Sequence, residues 1–281
     1  MIRIVTDTGA NLPQSIIDEF QIEIASGHIV FDDEAILEYP HLSTAEFYRR
    51  LQHSGRPPVT RDSGVSYFRG FYSHIVSRSP GATILSIHVA ESLATTITAA
   101  RQAAAMIPTA RILLFDTQMV SFGEGLMVWE AARMAHRDAT VEAILARLRD
   151  MCGRVEMFVM VDTLTYLARG GRVGPVARFA GGLFDVKPIL TVKDGEVRSF
   201  AQYRTRARAL IELEQIAAAR LIGKTGVRMG VMHALCEDDA NQLAEHLRGH
   251  LSLEALTITE IGPAVGAHTG PGAIGLAWYA P

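Results

Sequence analysis

Apolar positions along the chain follow two alternating patterns. Short runs at Ile2–Thr6, Thr83–Ile87, Arg111–Phe115, Met157–Val161, Val227–Met232 and Leu256–Ile261 read as strands. Between them, apolar residues recur at helical spacing over Val65–Ser77, Thr95–Met106, Gly125–Ala135, Val141–Met151, Ala207–Ile222 and Ala240–His250. Ser43-Thr44-Ala45-Glu46 has the form of a capping box and predicts a further helix to about Gln52. Gly223 supplies a stop after Ile222.

Strand–helix alternation up to about residue 150 predicts a parallel sheet covered by helices. The second half differs. Pro188–Val192 and Val197–Ala201 flank Lys193-Asp194-Gly195-Glu196, and an Asp-Gly pair suits a tight antiparallel hairpin. An α/β protein is expected, with a parallel-sheet α/β domain over 1–155 and a second α/β domain with a mixed or antiparallel sheet over 156–281. Asp-Thr recurs where apolar strands end, at Asp7-Thr8, Asp116-Thr117 and Asp162-Thr163. Such pairs either cap the following turn or line a crevice at the strand ends, where open α/β sheets bind ligands.

Composition narrows the classes. The 281 residues are 48% hydrophobic and 20% charged, a globular balance that allows two domains. The 27 Lys and Arg against 30 Asp and Glu leave a formal charge of −3, which argues against nucleic acid or an anionic membrane as partner. No stretch approaches the roughly 18 apolar residues of a membrane span. The opening Met1–Asp7 lacks a signal-peptide layout because an acid closes its apolar run. Cys152 and Cys236 are too few and too far apart for a disulfide framework or a Cys-rich zinc site, so a cytoplasmic protein with reduced thiols is expected.

Several motifs fail on inspection. Gly270-Pro271-Gly272-Ala273-Ile274-Gly275 fits G-x-G-x-x-G, but no following helix, second strand or acid leaves room for a dinucleotide fold before Pro281. Gly223-Lys224-Thr225 resembles the end of a phosphate loop, yet Ala218 stands where its first Gly must be. His246 and His250 share a helix face, but Leu247 replaces the metalloprotease Glu and no third ligand is evident. No metal and no cofactor are expected.

Three polar, Gly-rich stretches stand out. Pro57–Gly64 is a loop feeding a helix, suited to an anion or to plain capping. Leu164–Gly174 sets twin glycines between Arg169 and Arg172, which lets the backbone turn sharply and aims two guanidinium groups. Gly262–Gly272 leaves little bulk around His268 and Thr269, which suits close approach by a polar head group or a structural turn.

Together these stretches resemble the DegV family, bacterial fatty-acid-binding proteins. Ile4–Thr8 is similar to the family's first strand and turn, and Asp116–Gly123 to its D-S-x-x-V-S-x-G segment. Asp162–Gly174 matches D-T-L-x-Y-L-x-x-G-G-R-x-G, Lys187–Leu190 matches K-P-I-L, and Gly266–Gly272 resembles the terminal G-x-H-T-G-P-G. Two segments depart. The family's T-S-Q-P-S loop appears as Thr60-Arg61-Asp62-Ser63-Gly64, and its S-G-L-S-G-T segment as Glu91-Ser92-Leu93-Ala94-Thr95-Thr96.

The resemblance implies a lipid carrier that holds one long-chain fatty acid between two domains and presents its carboxylate to a separate fatty acid kinase. Each buried CH₂ is worth about 0.8 kcal/mol, so about 15 methylenes represent roughly 12 kcal/mol of gross transfer free energy. An ionised carboxylate needs donors and preferably positive charge. Thr60, Ser92, His268 and Thr269 are the expected donors, with Arg61 or Ser92 substituting in the departing loops. Arg172 is expected to support charge or dock the kinase. The apolar slot is assigned to helices such as Gly125–Ala135 and to Phe179–Phe184, residues that could equally be plain core. The alternative is an acyl- or phosphoryl-transfer enzyme with Ser92 or Ser121 as nucleophile, His268 as base and Asp7 or Asp116 as orienter.

Overall fold

The computed structural model describes residues 1–32, 34–171 and 186–281. Strands β1 (Ile2–Asp7), β2 (Glu23–Ala25), β6 (Thr83–His88) and β7 (Arg111–Asp116) form a parallel sheet in the order β2-β1-β6-β7. Alternation in β1 and β6 explains why this sheet is covered on both faces. Val5 and Ile84 point into one cluster, while Ile4, Leu85 and Ile87 point into another. On the first face lie α4 (Gly64–Arg78) and α5 (Thr96–Ala105), where the small side chains of Ala99, Ala100 and Ala103 share a cluster with Phe68 and Tyr72. On the second lies α6 (Phe122–His136), backed by α7 (Val141–Met151). Helix α1 (Gln14–Phe20) also packs on α6.

A small antiparallel sheet, order β4-β3-β5, is built from β3 (His28–Phe31), β4 (Glu34–Leu37) and β5 (Val59–Arg61). The short α2 (Glu38–His41) and α3 (Thr44–His53) lie between β4 and β5 in the chain. The capping box closes as expected on one side, with Glu46 N donating to Ser43 Oγ.

The second half builds a six-stranded mixed sheet, order β10-β9-β8-β13-β11-β12. Its strands are β8 (Glu156–Met160), β9 (Lys187–Lys193), β10 (Glu196–Tyr203), β11 (Val227–His233), β12 (Leu253–Glu260) and β13 (Ile274–Tyr279). The expected hairpin is β9–β10, and Asp194 (φ 53°) and Gly195 (φ 76°) both take the left-handed conformation that such a turn requires. Only β11–β12 is parallel. Phe158, Met160, Ile189, Val231 and Trp278 join the cluster under α9 (Arg206–Leu221) and α10 (Glu237–His250). The alternate residues Met157, Val159, Leu190 and Val192 face the other way, toward the parallel-sheet half. The chain is thus a two-domain α/β protein with one parallel and one mixed sheet.

Three readings of the sequence need amendment. β13, buried at every position, runs centrally between β8 and β11, although its run, interrupted by Gly275, was not among the expected strands. The Gly262–Gly272 stretch is partly helical: α11 (Pro263–Thr269) carries both His268 and Thr269, and α8 (Thr165–Arg169) precedes the twin glycines. Helix α6 packs on β1, β11 and β13 as core, because ten of its residues are buried.

Candidate functional site

A cavity lies where the two halves meet, with about 1310 Å³ of space free of protein atoms, its mouth included. One wall is the free face of the mixed sheet: Met157, Val159, Val161, Leu190, Val192 and Val197. Val89, Leu93, Ala94 and Val120 border it from the parallel-sheet half. These residues follow the strand ends of β6 and β7, the position at which open α/β sheets bind ligands. None of Gly125–Ala135 borders the cavity, so the apolar lining comes from strand alternation and not from α6. Phe179–Phe184 and Arg172 lie outside the described residues.

Polar groups also border the cavity. Thr60 in β5 and His268 in α11 meet side chain to side chain, Oγ1 to Nε2, at 3.2 Å across 208 residues of sequence. The imidazole fits there only because Gly170 has no side chain; a Cβ at that position would overlap the ring. The reverse contact locks the same two helices, since a Cβ on Gly270 would overlap the Tyr166 ring. The two glycine-rich motifs are therefore halves of one interlocking contact between α8 and α11. Gly272 (φ 80°) sits against the Asp162 carboxylate in the same way.

Thr269 borders the cavity and bonds back to Val265 O at 3.4 Å. Arg61 borders it too, although strand alternation turns its side chain away from the face that carries Thr60. Ser92 is placed elsewhere: it is exposed, and its hydroxyl donates to Gly195 O at 2.5 Å, tying it to the β9–β10 turn. Of the expected donors the fold thus brings together Thr60, His268 and Thr269.

The residues of the alternative enzyme reading are spent on other bonds. Ser121 Oγ donates to Asn11 Oδ1 at 2.8 Å. Asp116 Oδ1 accepts from Gln118 N, and Asp7 pairs with His88. Asp7, His88, Ser86 and Tyr72 do form a carboxylate–imidazole–hydroxyl chain, with bonds of 2.9, 2.8 and 2.8 Å. Its serine is 0% exposed and bonded to Tyr72, so no substrate reaches it. Asp7 also accepts from Gly9 N, which caps the turn after β1. Of the three Asp-Thr pairs, only Asp7-Thr8 lines the cavity.

Sequence reasoning missed Glu38. It is 5% exposed at the cavity wall, accepting from Thr8 Oγ1 at 2.6 Å and from Ala264 N, in the first turn of α11, at 3.0 Å. Burial pushes its carboxyl up to about 7, against the Thr8 and Ala264 hydrogen bonds, which act in the opposite direction. Only its place between Thr8 and α11 marks it, and no local pattern signals that. Glu124, wholly buried, bonds Thr6 Oγ1, and burial likewise holds its carboxyl well above the usual range. Among the described residues no cluster of His, Cys, Asp and Glu could hold a metal ion, and no helix is long and apolar enough to cross a membrane.

Comparison with known proteins finds relatives of this chain and of its fold. A family model described as "Uncharacterised protein, DegV family" matches residues 1–281. A DegV domain-containing protein of Streptomyces coelicolor is 33% identical over 98% of this chain and 97% of its own length. A DegV family protein from Thermus thermophilus, whose structure is described by its fatty acid binding, is 28% identical, with a TM-score of 0.92 over 100% of this chain and 99% of that one. DegV from Bacillus subtilis, described as a fatty acid binding protein, is 26% identical, with a TM-score of 0.89 over 100% of this chain and 99% of that one.

Proposed function

Because this chain belongs to the DegV family, we propose that it is a carrier that holds one long-chain fatty acid in the cavity between its two halves, 1–155 and 156–281. The observation that carries this reading is the pairing of an apolar wall on the mixed sheet with the Thr60–His268 contact. An acyl chain lies along Met157, Val159, Leu190 and Val192. Its carboxylate takes hydrogen bonds from Thr60, His268 and Thr269. Ser92 acts indirectly, by holding the hairpin over the chain. The fatty acid descriptions of the Thermus and Bacillus proteins support the same ligand.

The acid is carried for use elsewhere, with the carboxylate offered to a separate fatty acid kinase. The dispersal of Ser121, Asp7 and Asp116 onto other partners favours a carrier over a transferase. Two free cysteines support a reducing, cytoplasmic setting.

Mass spectrometry of the purified protein, native and after organic extraction, tests the reading. One fatty acid per chain is expected. His268→Ala, still folded, should lower fatty acid affinity about tenfold, the effect of one charge-assisted hydrogen bond. A chain that is empty and takes up no added fatty acid would overturn the proposal.

A further inference from the structure

The two segments that depart from the family pattern meet each other. Asp62 Oδ2 accepts from Thr95 N at 2.8 Å and from the Thr95 hydroxyl, while Oδ1 accepts from the Thr96 hydroxyl at 3.0 Å. Thr95 is the N-cap of α5 but makes no side-chain cap bond of its own. One carboxylate, 33 residues upstream, takes over that role at a helix end whose dipole favours negative charge. The same loop is fastened on both sides. Thr60 meets His268, and the Ser63 hydroxyl donates to Ser26 O and meets His28 Nδ1. Asp62 and Thr96 both border the cavity, and Ala94 presents a methyl there. The carboxylate of Asp62 is thus directed at α5.

We propose that Asp62 is the positioning residue of the head-group site: by fastening residues 60–64 to the start of α5, it sets where Thr60 stands against His268 and so how tightly an ionised head group is held. This rests on the fatty acid reading. It predicts selective damage. Losing the Asp62 bonds displaces the donors at the polar end, whereas the apolar wall on β8 and β9 belongs to the other half and stays intact.

The test uses the full chain, stripped of lipid and titrated with palmitate and with hexadecanol, which has the same tail but an uncharged head, both delivered from cyclodextrin. Asp62→Ala should weaken palmitate about tenfold and hexadecanol less than about twofold. In the Thr60→Ala background the further loss on Asp62→Ala should shrink, since the two residues act on one group. If Asp62→Ala does not fold, Asp62→Asn is read on the same pair, with a loss of about threefold confined to palmitate. Equal weakening of both ligands, or palmitate affinity within twofold of the wild type, would overturn the assignment while leaving the lipid reading intact. A wild-type chain that binds neither ligand would refute the lipid reading and this one with it.

Discussion

Gly170 and His268 show how a single missing side chain shapes the site. The imidazole occupies the space that a Cβ would fill, so Gly170→Ala must push His268 away from Thr60 or break the α8–α11 contact. Fatty acid affinity should fall at least as far in Gly170→Ala as in His268→Ala, read by titration beside a thermal melt. Glu38 gives a pH signature. Its carboxyl titrates near 7 in the folded protein, against an ordinary value of 4.5, so the native state keeps a proton that the unfolded chain has released. Stability tied to Glu38 is therefore complete below the ordinary value and falls as pH rises through about 7. Glu38→Gln removes that loss. The variant should gain on the wild type by about 1–3 kcal/mol between pH 5 and pH 8; parallel pH profiles for the two melting temperatures would count against the assignment.

Among the elements, the β9–β10 hairpin and the free face of the mixed sheet matter most. Gly195 is left-handed, and a Cβ there would sit 2.6 Å from Ser92 Oγ. Gly195→Ala should cost about 1–3 kcal/mol of stability, measured by denaturant melts, because strain and the lost Ser92 bond act together. Val192 lies in the apolar wall, and Val192→Phe adds bulk there. The variant should retain its fold at a cost of about 1–3 kcal/mol and co-purify with shorter acyl chains than the wild type. The hairpin was legible because Asp-Gly between two apolar runs has one common solution. The apolar wall was not. Met157, Val159 and Val161 look like ordinary buried strand residues, and only the position of the second half decides that they meet a cavity.

For the molecule as a whole, the proposed function predicts a link between ligand and stability. A fatty acid at a hundredfold its Kd should stabilise the native state by about 2.7 kcal/mol. Extraction of bound lipid should lower the melting temperature, and adding it back should restore it. The cavity forms where the free face of the mixed sheet meets the strand ends of the parallel one, so neither half alone encloses it.

Local chemistry in the sequence determined the strands and helices of regular period, the capping box at Ser43, the hairpin at Asp194-Gly195 and the polar, Gly-rich stretches that carry Thr60 and His268. Each of these depends on neighbours within a few residues or on a motif written contiguously. Tertiary structure decided what depends on distant pairs. It placed β13 at the centre of the mixed sheet, gave Gly170 a partner in His268, and turned Ser92 toward Gly195. It also brought Asp62 to α5 and Glu38 to α11, across 33 and 226 residues of chain. Hydrogen bonds and steric exclusion act through space, and the sequence spacing of such partners carries no trace of them.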